Sequence, residues 1–278
     1  MAKTPTLSLL GSCRVNLPGR WLESTGRARL NQQNIFGFVH NSREVLQQLK
    51  LVTGAAVLPP RLRPFLGVPD DWTWRPNSVE NTIAYKFGRT DCFVVEISSI
   101  RMLKFKALYL QLNNTRELLA NDATTEAWWT ALLRNGASAE PYPSAEAPPL
   151  HREVADQLHC AEQTETELLR DLIAIRELLP RPVLFLTHFR VAEDGKPIRQ
   201  REKLAQAFRG AADGAGVAFL DPTDLVLGAG PREALEDNAH YRPDFLPTVG
   251  GAILERVNDL LSEQPAFRGS SELQELLE

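Results

Sequence analysis

Four short apolar runs punctuate the chain, and each stops on a small or polar residue. They are Leu7-Ser8-Leu9-Leu10 before Gly11, Cys92-Phe93-Val94-Val95-Glu96-Ile97 before Ser98-Ser99, Val183-Leu184-Phe185-Leu186 before Thr187-His188-Phe189-Arg190, and Val217-Ala218-Phe219-Leu220 before Asp221-Pro222. Runs this short and this apolar read as buried strands. Helical patterns lie between them: Arg43 to Lys50 with Ser42 as the expected cap, Glu126 to Arg134, a long stretch from about His151 to Leu179 ended by Pro180 and Pro182, Lys203 to Ala212, and about Val249 to Leu261. The alternation of strand and helix in the second half predicts right-handed crossovers and a parallel sheet. The expected architecture is a three-layer α/β/α sandwich with a mainly parallel central sheet, of the flavodoxin-like kind. In such sheets ligands sit at the carboxyl ends of the strands. That rule selects Gly11-Ser12-Cys13, Glu96-Ile97-Ser98-Ser99, Thr187-His188-Phe189-Arg190 and Asp221.

The 278 residues are 43% apolar and 24% charged, which excludes a disordered or fibrous chain, and the net charge of −4 argues against a nucleic-acid partner. No apolar run is long enough to cross a membrane. Met1 to Val15 lacks the pattern of a signal peptide, and three widely spaced cysteines, Cys13, Cys92 and Cys160, form no disulfide or zinc pattern. A cytoplasmic protein is expected, organised as a single domain over 1–278. Residues 54–78, with Pro59, Pro60, Pro64, Pro69, Trp72, Trp74 and Pro76, are expected to form a long ordered loop, serving either as a lid or as a packing arm. Residues 136–149, rich in proline and alanine, read as a surface loop.

Cys13 sits just past the first strand, where the N–H groups of a starting helix favour an anion, and Gly11 allows a tight elbow. Ser12 is a competing nucleophile one residue earlier. A nucleophile needs a base, and Asp237-x-x-His240 supplies one: on a short turn the carboxylate reaches Nδ1–H, fixes the tautomer and leaves Nε2 free. Arg14, His188 and Arg190 lie near strand ends, as binders of an anionic substrate or as structural ion pairs. His40 is expected to be structural, His151 and His159 to face solvent from the long helix, and Trp128 and Trp129 to be core. No cluster has metal-ligand spacing, so no metal is expected.

Gly11-Ser12-Cys13 after the first strand, with Asp237-x-x-His240 before the last helix, resembles the SGNH (GDSL-type) hydrolase superfamily. It is more similar to the GSCFA-type branch, in which Cys holds the nucleophile position. Asn34-Ile35-Phe36-Gly37-Phe38-Val39-His40-Asn41 resembles that branch's Asn-Pro-Phe-Gly segment, and Thr187-His188-Phe189-Arg190 its Ser-Pro-Val-Arg region. The chain departs from the branch at Arg14-Val15, at Ile35 and at Ser98-Ser99.

The resemblance implies an acyl-transfer enzyme, either a hydrolase of esters or thioesters or an acyltransferase of a bacterial polysaccharide or natural-product pathway. Cys13 would be the nucleophile, His240 the base and Asp237 its orienter. The N–H of Cys13, with Gly37 and Asn41, would hold the oxyanion, and Ser98 or Ser99 would border the same pocket. No permanently bound cofactor is implied; coenzyme A or a carrier protein would bring the acyl group as a co-substrate. A binding or scaffold protein of the same fold, and the same chemistry run from Ser12, are the alternatives.

Overall fold

The computed structural model describes residues 3–72, 83–137 and 140–263. Alternation along the apolar runs builds the centre of the molecule. Leu7 and Leu9, Cys92 and Val94, and Leu184 and Leu186 enter one buried cluster, while Leu10, Phe93, Val95, Ile97, Val183 and Phe185 enter another. Side chains of a strand point to opposite faces in turn, so runs that are apolar at both parities require cover on both faces.

The strands β1 (Thr6–Leu10), β2 (Arg29–Gln33) and β3 (Cys92–Ile97) flank the helices α1 (Cys13–Ser24), α2 (Ser42–Val52), α3 (Arg63–Leu66) and α4 (Ile83–Phe87). A small excursion follows: β4 (Arg101–Phe105), β5 (Leu108–Leu110), α5 (Leu112–Leu119), α6 (Ala123–Asn135), α7 (Pro149–Asp156) and β6 (Leu158–Glu162). The chain then returns through α8 (Glu165–Leu178), β7 (Val183–Thr187), α9 (Arg199–Ala215), β8 (Ala218–Leu220), α10 (Thr223–Ala229), α11 (Pro231–Ala234) and α12 (Leu246–Glu263).

The large sheet has the order β2-β1-β3-β7-β8, and every pairing in it is parallel. One face is covered by α2, α8 and α9 through Val45, Leu49, Leu168, Leu172, Leu204 and Phe208. The other is covered by α1 and α12 through Val15, Leu22, Val249, Ile253 and Val257. This is the expected three-layer α/β architecture. The chain runs from β1 to the edge at β2 and then back across β1 to β3. The carboxyl ends of β1 and β3 therefore form the point where strand order reverses, which is where such sheets open a crevice.

Two elements differ from the sequence reading. The stretch expected as one helix from about His151 to Leu179 is α7, β6 and α8. Buried Leu158 and Cys160 alternate with exposed His159 along β6, which pairs antiparallel with β4. Thr164 and Glu167 then open α8 with a reciprocal capping box. His159 consequently projects from a strand, and Cys160 lies in a strand rather than in a helix. His151 is half-buried, with its ring edge-on to Phe65. The cap of α2 is Asn41, whose Oδ1 accepts from the Glu44 N–H at 3.0 Å, with Ser42 as the first helical residue.

The antiparallel sheet β5-β4-β6 carries its own apolar cluster. Phe65, Leu66, Leu103, Phe105, Trp128, Trp129 and Leu132 all contribute to it, so both tryptophans are core. Proline-rich residues 54–72 pack into this cluster through Leu58, Leu62, Phe65, Leu66 and Val68. Pro60 and Pro64 sit in first-turn positions of a 3-10 turn and of α3, where a missing N–H costs nothing. Trp74 and Pro76 lie outside the described residues. Among the described residues no helix is long and apolar enough to cross a membrane.

Gly11 is required by close approach. A Cβ there would lie 2.5 Å from Cβ of Glu96 and 2.9 Å from its Oε2. Gly11→Ala should destabilise the fold by about 1–3 kcal/mol, since overpacking at a rigid strand end forces backbone movement. Urea denaturation with an unchanged m-value checks this; wild-type stability would show that β1 and β3 can separate freely.

Candidate active site

Glu96 is a charged residue in an otherwise apolar strand, and it is completely buried. Its carboxylate accepts three partners from the segment after β1. The Ser12 N–H donates to Oε2 at 2.8 Å, the Ser12 hydroxyl donates to Oε2 at 2.7 Å, and Arg14 Nε donates to Oε1 at 2.7 Å. A buried carboxylate is tolerated only when paired and hydrogen-bonded, and this one is both. Asn34, held in the left-handed region at φ 58°, adds a second clamp by accepting the Gly11 N–H on Oδ1 at 2.7 Å.

These contacts fix the start of α1. Ser12 is its N-cap, 2% exposed, with its Oγ accepting from the Arg14 N–H. Cys13 is the first residue of the helix and is partly exposed, so its N–H belongs to the first turn, which lacks intrahelical acceptors. Burial pushes the Cys92 thiol up to about 12 and raises that of Cys160, which makes both poor nucleophiles.

The second half of the site arrives 225 residues later. Arg14 Nη1 donates to the Ala239 carbonyl at 3.2 Å, which ties the 237–240 turn to the helix that begins at Cys13. Within that turn, Asp237 Oδ1 accepts the N–H groups of Ala239 and His240 at 2.6 and 2.7 Å. His240 Nδ1 lies 2.8 Å from Asp237 Oδ2. The His240 hydrogen bond holds the Asp237 carboxyl below the usual carboxylate range. With Nδ1 bound to the carboxylate, Nε2 is the nitrogen free for proton transfer.

Several other sequence candidates serve the scaffold. The Gly37 N–H donates to the Gly67 carbonyl at 3.1 Å, so it is not a free donor for an oxyanion. Asn41 spends its amide on Glu44 and on the Arg101 carbonyl. The N–H groups of Ser98 and Ser99 both donate to the His40 carbonyl, at 2.8 and 2.9 Å. Arg190 pairs with Asp221 at 3.0 Å and joins the cap of α10, which leaves it a structural ion pair instead of an anion binder.

Arg14, His40, Ser98, Ser99, His188 and Ala239 instead share the wall of a cleft of about 270 Å³. Burial, reinforced by the Arg14 charge, lowers His40 from 6.5 to about 4 and places His188 well below its ordinary value, so both rings are neutral near pH 7.

Glu96 falls in a stretch selected at a strand end and Asn34 in a motif-like segment, but the sequence reading gave neither a role of its own. A glutamate inside Cys-Phe-Val-Val-Glu-Ile was the available signal for the first, because an acid on a buried strand needs a specific partner.

The fold and site define a doubly wound α/β protein whose switch point carries Cys13 at the start of α1, with Arg14 tied through Ala239 to the turn that holds the histidine-aspartate pair. The chain belongs to the TviD N-terminal domain family, whose sequence model matches residues 5–256. It is 28% identical over 269 residues to the Vi polysaccharide biosynthesis protein TviD of Salmonella typhi; the match covers 91% of this chain and spans 31% of that protein's length. Among solved structures it is similar to a variant of an acetyl xylan esterase from Geobacillus stearothermophilus, with a TM-score of 0.43 and 11% identity over 92% of this chain and 96% of that one. An inhibitor-bound aryl esterase of M. smegmatis has a TM-score of 0.38 and 9% identity over 92% of this chain and all of that one.

Glu96→Gln should cost about 3–5 kcal/mol in denaturant titration, because it leaves the Arg14 charge buried without its counter-ion. Wild-type stability would show that the pair contributes nothing. His40 predicts a pH effect. Its folded value is depressed, so between 6.5 and about 4 the unfolded chain binds the extra proton and stability falls as pH drops through that window. Glu96 lies on the same side and opposes this shift only in part. His40→Gln should flatten the slope in urea titrations run from pH 7 to pH 4; an unchanged slope would assign it to other groups.

Proposed function

We propose that this chain is an acyl-transfer enzyme of the SGNH type that uses Cys13, His240 and Asp237, and that it acts in polysaccharide biosynthesis. The observation that carries this reading is the Asp237–His240 pair, anchored through Ala239 to Arg14, the residue next to Cys13. The polysaccharide context comes from the TviD relative, of which this chain spans less than a third.

In the proposed reaction Cys13 Sγ attacks the carbonyl carbon of an ester or thioester, and the thiol proton passes to His240 Nε2. The tetrahedral oxyanion is held by the Cys13 N–H, the donor at the start of α1 that has no acceptor among the hydrogen bonds of that turn. The acyl–oxygen or acyl–sulfur bond then breaks, His240 returns its proton to the leaving group, and an acyl thioester remains on Cys13. An acceptor hydroxyl, or water, attacks that thioester, loses its proton to His240, and the thiol of Cys13 is regenerated. Asp237 stabilises the imidazolium at both stages. A coenzyme A or carrier-bound thioester is the proposed acyl donor. The thioester and cysteine nucleophile follow the GSCFA-type resemblance.

Two features favour Cys13 over Ser12. The Ser12 hydroxyl is buried and already donated to Glu96, and moving it would uncap α1.

Kinetics on a 4-nitrophenyl ester test the assignment. Cys13→Ala should abolish turnover, and His240→Ala should lower kcat by on the order of 10³-fold. Ser12→Ala should keep most of the activity and lose about 1 kcal/mol of stability with the cap. An inactive Ser12→Ala beside an active Cys13→Ala would reassign the nucleophile. Activity that survives in both Cys13→Ala and His240→Ala would favour a binding protein of this fold.

A further inference from the structure

The cleft beside the 237–240 turn has a charge pattern that the acyl-transfer steps leave unused. Its wall holds three arginines, Arg14, Arg101 and Arg201, against one carboxylate, Glu162. Glu162 is engaged by Lys203 Nζ at 3.0 Å, and Arg14 is engaged by Glu96. Among the described residues, neither Arg101 nor Arg201 has a carboxylate partner. Arg201 donates to the carbonyls of Phe189 and Asn238 and lies over the Phe189 ring, which orients its guanidinium without neutralising it.

Two buried polar atoms on the same wall lack a hydrogen-bond partner among the described residues: Arg101 Nε, and Nδ1 of His188, which is 4% exposed. Native structures leave few buried polar atoms unsatisfied, so these two mark the wall as unusually polar, although both atoms are themselves closed off from the cleft. The cations also crowd one another. Burial and the Arg14 charge lower Arg201 to about 10, and an anion in the cleft would relieve that repulsion.

We propose that this cleft is an anion site that receives a carboxylate or phosphate group of the substrate next to the Cys13–His240 pair. Arg101 projects from the first residue of β4 and Arg201 from the first turns of α9, so two elements converge on one oxygen-rich group. A guanidinium fork suits either a carboxylate or a phosphate. The site rests on the acyl-transfer reading for its biological role, but the binding itself does not require the chemistry. An acidic or phosphorylated sugar is the substrate class it fits; a neutral sugar would leave the arginines unpaired.

Calorimetric titration of the full chain tests this, using a hexuronic acid, a hexose phosphate and the parent neutral hexose at low ionic strength. One or both anionic sugars should bind at least about tenfold tighter than the neutral one, the value of one charge-assisted contact. The stronger of the two identifies carboxylate or phosphate as the source of the charge. Arg201→Gln and Arg101→Gln should each weaken that binding by about tenfold. Gln200→Glu changes an exposed residue of the cleft rim without disturbing the core, and should weaken it in the same direction by adding a negative charge. Cys13→Ala should bind like wild type. Equal affinity for the neutral hexose, no binding of any of the three, or unchanged affinity in both Arg101→Gln and Gln200→Glu would overturn the anion site. Intact anion binding in a protein whose Cys13→Ala form keeps full esterase activity would instead overturn the catalytic reading and leave the site standing.

Discussion

A single buried carboxylate organises the functional end of this molecule. Glu96 lies in the central strand of the sheet, fully out of water, and holds the backbone and hydroxyl of Ser12 together with the guanidinium of Arg14. Taking a carboxylate out of water is costly, and the cost is offset only if these partners stay in place. The same constraint explains why residue 11 is glycine, why Ser12 can cap the helix, and why Arg14 points across to the distant turn carrying His240. Removing either Glu96 or the Arg14 guanidinium leaves a buried charge without its counter-ion, so these two lock each other in place.

The consequence is that residues separated by more than two hundred positions are fixed to one helix start. Cys13 is positioned by the ends of β1 and α1, and Asp237 and His240 by their own hydrogen-bonded turn. Arg14 connects the two through Ala239. The same arginine also forms a wall of the cleft, so the positioning device and the proposed anion site share a charge.

Much of this was legible in the sequence, for a physical reason. Parallel strands buried on both faces must be apolar at consecutive positions, so β1, β3 and β7 stand out as short runs, and the edge strand β8 is apolar too although only partly buried. The Asp237-x-x-His240 pair is local, and local hydrogen bonds can be read from spacing. The failures arose where local pattern and tertiary partner disagree. Leu158 and Ala161 fit a helical stripe that includes Val154 and Leu168, yet Leu158, Cys160 and the residues between them alternate as a strand because β4 supplies hydrogen bonds from elsewhere. Asn41 displaced Ser42 as the cap by one position, within the ordinary uncertainty of helix ends. Gly37, Asn41 and Arg190 are polar or glycine residues at suggestive places whose partners, Gly67, Glu44 and Asp221, come from the folded arrangement. Glu96 is the reverse case, since its meaning depends on Arg14, 82 positions earlier, and no spacing rule joins them.

The most direct test of the account is covalent trapping. Wild-type protein is mixed with a 4-nitrophenyl acyl ester, quenched in acid within the first turnover, digested and mapped by mass spectrometry. One acyl group is expected on the peptide bearing Cys13, localised by fragmentation to the Cys13 sulfur and absent when His240 is replaced by alanine. An acyl group on Ser12 or another residue, or full turnover with no acyl-enzyme at any quench time, would contradict it.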